Sequence, residues 1–227
     1  MQAIIETIFH PTYLISVTIM GMLMIKRAQG DKQFILFGIM AVSLAAGDSF
    51  HLVPRLIAVN TTGMEDYVVS LGMGKLVTSI TMTIFYILLY HIWERRYQIK
   101  DNLNLTVFFY LLAFYRIVLT LYPQNALTTL HPSLAWGIYR NIPFVIMGGI
   151  IIVLYFKSAR EHQDKDFRYV WLAALISFAC YIPVVLWAES YPVVGTLMIP
   201  KTVAYFWAVW MGFSAQKKHL KAEAKEA

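Results

Sequence analysis

The chain has 227 residues, of which 59% are hydrophobic and 14% are charged, and its formal net charge at pH 7 is +6. A soluble domain cannot bury this much apolar surface, so the composition excludes an ordinary soluble globular protein. It predicts an all-α integral membrane protein instead.

Seven apolar stretches of roughly 18 residues or more follow one another along the chain, and each is long enough for a transmembrane helix. The predicted helices span residues 4–25, 34–59, 67–93, 103–122, 134–156, 169–189 and 192–213. They define a seven-helix transmembrane domain, residues 1–214, followed by a charged cytoplasmic tail, residues 215–227. No Lys or Arg precedes the first apolar stretch, so we expect a retained helix rather than a cleaved signal peptide.

Most basic residues lie in alternate connections between the predicted helices. Fourteen of the nineteen Lys and Arg residues fall in the first, third and fifth connections or in the tail. The other connections, "NTTGMED", "PQNALTTLHPS" and "ESYP", contain none. Because basic loops remain in the cytoplasm, this pattern places the N-terminus outside the cell membrane and the C-terminus in the cytoplasm. The positive charge is therefore a topology signal, and no nucleic-acid partner is predicted.

The remaining five basic residues lie inside predicted helices, in the half nearer the outside. They are Arg55, Lys75, Arg116, Arg140 and Lys201. A charge in hydrocarbon is costly, so these side chains are expected to face the interior of the bundle. Only two acids, Asp48 and Glu189, are counted near them, and the positive excess predicts an anionic ligand such as a phosphate or carboxylate. Together with Asn141, the five basic residues form the predicted ligand-binding set.

The stretch "AAGDSFHLVPRL", residues 45–56, interrupts the second apolar run with charged side chains. Asp48, His51 and Arg55 are separated by three and four residues, so they share one helical face. We expect that face to line a polar pocket open to the outside. In an enzyme, Asp48 would act as general acid or base with help from His51.

Helices one to three resemble helices five to seven. The segment "VVSLGMGKLV" at 68–77 matches "VVGTLMIPKTV" at 193–203 with one gap, and the match aligns Lys75 with Lys201. The pattern predicts a parallel 3+1+3 repeat with helix four as the linker. Repeats of this kind place binding sites near the membrane midplane at their interface.

The stretch "SLAAGDSFHLVPR", with its Gly-Asp pair, resembles the acidic motif of the lysoplasmalogenase family, and the resemblance covers residues 40–90. Members of that family are multi-helix membrane hydrolases that cleave the vinyl-ether bond of lysoplasmalogens. The resemblance implies an ether-lipid hydrolase with Asp48 at its catalytic centre. The family's second acidic motif falls where this chain reads "SFACYIP", which contains no acid, so Glu189 is the only later catalytic candidate.

Two further patterns concern cofactors. Lys201 in the middle of predicted helix seven, and "CYIPVVLW" in helix six, resemble microbial rhodopsins, in which such a lysine carries retinal. Only Asp48 would serve as the carboxylate that a retinal Schiff base needs. His10, His51 and His131 offer zinc ligands, but no paired HxxxH follows late in the chain. We therefore predict no metal and no cofactor, and a retinal-binding protein is a minor alternative.

Two functions of different classes remain open. The first is a membrane-embedded hydrolase that acts on an anionic, phospholipid-like amphiphile. The second is a non-enzymatic transporter or sensor of a small anion, which the predicted repeat and the prolines within helices favour. These prolines are Pro54, Pro143, Pro183 and Pro200, and each is expected to kink its helix. The expected partner is a membrane lipid or a small anion, and the oligomeric state is left open.

Overall fold

The computed structural model describes residues 2–226, and every regular element within this range is a helix. Seven α-helices follow one another along the chain. They are α1 (Gln2–Lys26), α2 (Lys32–Asn60), α3 (Val68–Arg96), α4 (Leu103–Leu121), α5 (Leu134–Glu161), α6 (Val170–Trp187) and α7 (Met198–Glu226). Short 3-10 helices at Met64–Tyr67, Pro123–Asn125 and Pro192–Leu197 lie in the connections. Seven helices are long and apolar enough to cross a membrane, which confirms the predicted number of spans.

The seven helices form a closed ring. Each helix packs against the next one in sequence, and α1 packs against α7 to close the ring. Aromatic side chains fill the middle: Phe85 meets Tyr205 edge to face at 5.3 Å between centroids, and Tyr86 meets Phe144 in the same way at 5.0 Å. Edge-to-face pairs of buried rings stabilise a core beyond their apolar area alone. The ring is therefore held together at its centre by residues of α3, α5 and α7.

The connections gather at two ends of the bundle. At one end, Arg96 at the end of α3 donates two hydrogen bonds of 2.9 Å to Asp164 in the α5–α6 connection. At the same end, Gln216 of α7 donates to the carbonyl of Met24 in α1 at 2.8 Å. We call this end, which carries the basic connections, the basic end. The opposite end is called the outer end after the predicted orientation, which itself stays a prediction.

Helices α2 and α3 approach each other closely beside Asp48. A Cβ atom on Gly74 would collide with the backbone of Phe50, so only glycine allows the two helices this contact. One turn further along α3, Thr78 Oγ1 donates to the carbonyl of Gly47 at 3.1 Å. These contacts fix the position of the polar face of α2 against its neighbour.

Helix α7 differs most from the prediction. It begins at Met198, after the 3-10 segment Pro192–Leu197, and it continues to Glu226, so the residues predicted as a tail extend the helix. Pro200 lies in its first turn, where a proline interrupts no intrahelical hydrogen bond, and the kink predicted there is wrong. Lys201 likewise lies in the first turn rather than in the middle of the helix. The other three prolines lie inside their helices: Pro54 in α2, Pro143 in α5 and Pro183 in α6.

Candidate functional site

The polar face of α2 meets a matching polar face of α1. The Tyr13 hydroxyl donates to Asp48 Oδ2 at 2.8 Å. About two turns closer to the outer end, Arg55 Nε and Nη2 each donate to a carboxylate oxygen of Glu6 at 2.8 Å. The side chain of Glu6 is 4% exposed, and that of Arg55 is 29% exposed. Asp48 and Arg55 are thus both bound by α1.

Glu6 is a buried site residue that the sequence did not single out. Its signal is the spacing of Glu6, His10 and Tyr13 by four and three residues, which continues into the buried Val17 and Met20 on the same face. A charge near the start of a span is equally compatible with an exposed position, so this spacing alone is ambiguous. With Glu6 counted, the expectation of only two nearby acids is wrong. The formal positive excess in the outer half falls from three to two.

The most unusual buried charge is Arg116 on α4. This residue is 2% exposed, and its guanidinium carbon lies 3.2 Å from the centroid of the Phe144 ring on α5. Its Nε and Nη1 atoms are buried and have no hydrogen-bond partner in the described part of the chain. Arginine is rarely buried this deeply without a paired acid. The ring face therefore supplies only part of the stabilisation that the guanidinium needs.

A second buried cation, Lys201, lies beside two aromatic rings. It is 7% exposed, and its Nζ atom lies 4.9 Å from the centroid of the Tyr181 ring and 5.5 Å from that of Tyr205. Its charge interacts with those of Asp48 and Arg116. Arg116 and Lys201 therefore bring positive charge from α4 and α7 into the centre of the outer half.

Buried hydroxyl groups complete this region. Tyr86 Oη on α3 and Ser177 Oγ on α6 are buried and lie close to each other and to the Tyr205 hydroxyl, but among the residues described neither makes a contact with hydrogen-bond geometry. Tyr86 also interacts with the charge of Arg116, and Ser177 lies beside Tyr86. We call Tyr86, Arg116, Ser177 and Lys201 the buried cation cluster. Buried polar groups are normally satisfied, so the unpaired nitrogens of Arg116 are the feature of this cluster that suits a polar ligand.

Arg140 and Asn141 make contacts at the start of α5. Arg140 Nη1 donates to Asn125 Oδ1 in the α4–α5 connection at 3.3 Å. Asn141 Nδ2 donates to the Gly137 carbonyl at 2.7 Å, and its Oδ1 accepts from the Tyr181 hydroxyl at 2.9 Å. Asn141 therefore orients the tyrosine ring that packs beside the α7 lysine, and Arg140 anchors a connection at the outer end.

The two lysines matched in the predicted repeat have different environments. Lys201 is buried, whereas Lys75 on α3 is exposed. The charges that act on Lys75 come from three other elements and belong to Arg55, Arg140 and Glu189. Lys75 therefore lies at the outer mouth of the bundle rather than in the buried cation cluster.

Among the described residues, no hydrogen bond or ion pair joins the three predicted catalytic residues. Asp48 is bound by Tyr13, whereas His51 Nδ1 is buried with no hydrogen-bond partner within the described residues. Glu189 lies just beyond α6, where its Oε1 is 3.6 Å from Nδ1 of His131 and both side chains are largely exposed. Within residues 4–225, no three His, Cys, Asp or Glu side chains gather closely enough to hold a metal ion.

The fold and these contacts define a class: a seven-helix, multi-pass membrane protein with buried cations near one end of the bundle. The chain matches no family model, no curated protein and no solved structure. The function of the site is therefore argued from its own residues.

Proposed function

We propose that this protein binds the anionic head of an amphiphile in the outer half of its helical bundle. The observation that carries the proposal is Arg116, which is 2% exposed and has two nitrogen atoms without a hydrogen-bond partner in the described chain. A phosphate or carboxylate supplies both the opposite charge and acceptors in the planar arrangement that a guanidinium prefers. Lys201 adds a second cation that interacts with the first.

An amphiphile is favoured over a free ion because the surroundings of the two cations are aromatic and lie within membrane-spanning helices. Phe144 lies against Arg116, while Tyr181 and Tyr205 flank Lys201. Binding sites of this composition hold apolar parts of a ligand against rings and orient it through a few polar groups. The head would enter from the outer end, in keeping with the predicted orientation in the cell membrane.

An ether-lipid hydrolase is the second candidate, and Asp48 is the reason to retain it. Its carboxylate accepts a hydrogen bond from Tyr13 and interacts with the charge of Lys201, so a ligand held by the lysine would come close to a proton-exchanging group. Within the described chain, His51 and Glu189, the other predicted catalytic residues, make no hydrogen bond or ion pair with Asp48. Turnover would need these catalytic residues to act together, whereas binding needs only the buried cations. We therefore favour binding.

Transport of a small anion would require a second opening at the basic end. There, Arg96 binds Asp164 through two hydrogen bonds, and the Tyr97 hydroxyl donates to Asp164 Oδ2 at 3.1 Å. These bonds join α3 to the α5–α6 connection. Passage between the ends would need them to separate, so we place binding or sensing ahead of transport.

Thermal stabilisation by two matched amphiphiles tests the proposal. The purified protein, in an uncharged detergent, is melted in the presence of dodecyl phosphate or of dodecanol, which has the same chain and no charge. A ligand that binds only the folded state raises the melting temperature by mass action. We expect dodecyl phosphate to stabilise the wild type and dodecanol to leave it unchanged.

Three variants locate the effect. Arg116→Met and Lys201→Met are expected to lose the stabilisation by dodecyl phosphate. Arg160→Met is the matched control, because Arg160 is exposed at the basic end and lies over the Phe156 ring at 4.7 Å. Equal stabilisation by both amphiphiles, or an unchanged response of both site variants, would contradict the proposal.

A separate assay decides between binding and hydrolysis. Wild-type protein and Asp48→Asn are incubated with a vinyl-ether lysophospholipid, and release of the fatty aldehyde is measured. Aldehyde release by the wild type and not by the variant would support the hydrolase. No release by either protein, together with stabilisation by dodecyl phosphate, would leave binding as the function.

A further inference from the structure

A groove outside the proposed site lies along the extension of α7 at the basic end. It has a volume of about 280 Å³ and runs between α7 and the residue that follows α1. Three of its lining residues are cations: Arg27, Lys217 and Lys221. Phe213 and Leu220 supply apolar surface between them, and no acidic residue lines the groove.

The three cations are not neutralised by the protein. Among residues 4–225, no carboxylate lies within 4.0 Å of Arg27, Lys217 or Lys221. The neighbouring Lys218, by contrast, bonds to Asp166 on another face of the helix. The groove therefore concentrates positive charge at the point where α7 leaves the bundle.

Aromatic side chains continue the line of the groove towards the membrane-spanning part of α7. Phe206, Trp210 and Phe213 follow at spacings of four and three residues, and Lys217 and Lys221 continue the same helical face. The rings of Phe206 and Trp210 stack at 6.5 Å between centroids, and those of Trp210 and Phe213 lie 6.0 Å apart. Trp210 is 49% exposed, so this stripe faces outward from the bundle.

The groove is held in shape by contacts of α7 with α1 and α2. Gln216 donates to the carbonyl of Met24 at 2.8 Å, which fastens the extension to α1. Three residues later, His219 meets the ring of Phe34 in α2 edge to face at 5.7 Å. Lys217 and Lys221 therefore lie on a positioned helix rather than on a free tail, and Arg27 lies directly after α1, the helix to which α7 is fastened.

We propose that this groove binds an anionic phospholipid of the membrane leaflet at the basic end. The phosphate head would lie among Arg27, Lys217 and Lys221, and an acyl chain would follow Phe213 towards the membrane-spanning part of α7. Basic residues immediately beyond a transmembrane helix attract anionic lipid heads, and aromatic side chains occupy the adjoining interface. From Phe213 to Lys221 the helix rises about 12 Å, which spans a lipid head and the start of its chain.

A neighbouring groove provides a matched control. It has a volume of about 190 Å³, also lies along α7, and is lined by the cations Lys165 and Arg168 together with Trp207 and Trp210. Unlike the first groove, it includes an acid, Asp166, which binds Lys218. Its cations also lie at the basic end, so general attraction to a charged membrane would involve both grooves.

Native mass spectrometry of the purified protein tests the proposal. Wild type in an uncharged detergent is titrated with phosphatidylglycerol or with phosphatidylcholine that has the same acyl chains. We expect one phosphatidylglycerol to bind about tenfold more tightly than phosphatidylcholine. Inorganic phosphate at the same concentration should not displace it, because the acyl chain contributes to binding. No preference, or displacement by phosphate, would overturn the lipid as the ligand.

Variants assign the lipid to this groove. The triple variant Arg27→Gln, Lys217→Gln and Lys221→Gln should lose the preference, while Lys165→Gln with Arg168→Gln should keep it. The single variants Lys217→Gln and Lys221→Gln serve if the triple variant does not fold. Retention by the triple variant and by both single variants, or an equal loss in the control, would overturn the assignment. Arg116→Met should keep the preference, which separates this site from the one proposed above.

Discussion

The guanidinium of Arg116, on α4, lies 3.2 Å from the centroid of the Phe144 ring, on α5. This contact takes the place of the carboxylate that a buried arginine normally has. In the described part of the chain, Nε and Nη1 of Arg116 are buried and have no hydrogen-bond acceptor. The proposed anion site rests on this guanidinium.

Replacement of Arg116 by Met should separate ligand binding from folding. Without ligand, Arg116→Met is expected to keep or raise stability, by up to about 2 kcal/mol, because an uncompensated buried charge is removed and a thioether packs well against an aromatic ring. Thermal unfolding without any anionic amphiphile measures this. A loss of several kcal/mol would mean that Arg116 is fully paired in the ligand-free protein.

The ion pair between Arg55 and Glu6 should be structural. Arg55→Gln is expected to cost about 3 kcal/mol, because it removes a bidentate bond from a carboxylate that is 4% exposed. Arg95→Gln is the control, since Arg95 is exposed at the basic end. The double change of Arg55 and Glu6 to Gln should recover part of the loss. Equal melting temperatures for Arg55→Gln and Arg95→Gln would show that the pair contributes little.

Asp164 should give the fold a dependence on acid pH. Burial by itself raises the pKa of this carboxyl, but the hydrogen bonds and charge of Arg96 and the backbone N–H groups of Phe167 and Asp166 outweigh burial and hold the pKa below its ordinary value. Such a group stabilises the fold above its unfolded pKa of about 3.9, and this stabilisation is lost as the pH falls through the folded pKa.

Asp164→Asn is therefore expected to lower the melting temperature at pH 7, and its difference from wild type should shrink below about pH 4. Asp101→Asn, at an exposed position in the α3–α4 connection, should differ little from wild type at any pH. Melting temperatures between pH 7 and pH 3 provide the test. A constant difference across that range would mean that Asp164 acts through its shape and not its charge.

The orientation in the membrane can be tested with single cysteines after Cys180 is replaced by Ala. Thr62 and Thr128 are exposed in connections at the outer end, and Lys100 is exposed at the basic end. Cysteines at Thr62 and Thr128 should react with an impermeant thiol reagent on intact cells, because basic connections remain in the cytoplasm. If only the cysteine that replaces Lys100 reacts, the orientation is the reverse of the predicted one, and the buried cations lie near the inner leaflet.

The spans were predictable because hydropathy is a local property. Residues 103–122 were predicted as one helix, and α4 covers Leu103–Leu121. The face shared by Asp48, His51 and Arg55 followed from helical spacing in the same way. A local sequence pattern does not show which residue of another helix binds a given side chain. Tyr13 and Glu6, which bind Asp48 and Arg55, lie more than thirty residues away in sequence.

The candidate site was predictable only in part, for a related reason. Sequence spacing places a charge inside a helix, but it does not say whether a neighbour satisfies it. Arg116 and Lys201 were both expected to face inward, and both are buried. No sequence signal pointed to the buried hydroxyls of Tyr86 and Ser177, because tyrosine and serine are common in the cores of helical bundles.

Calorimetric titration with dodecyl phosphate tests the central claim most directly. The wild type is compared with Arg116→Met, Lys201→Met and the control Arg160→Met in the same uncharged detergent. Loss of one buried, charge-assisted contact should weaken binding at least about tenfold. We therefore predict similar dissociation constants for wild type and Arg160→Met, and at least tenfold larger ones for the other two variants. Equal affinity in all four proteins would contradict an anion site built on Arg116 and Lys201.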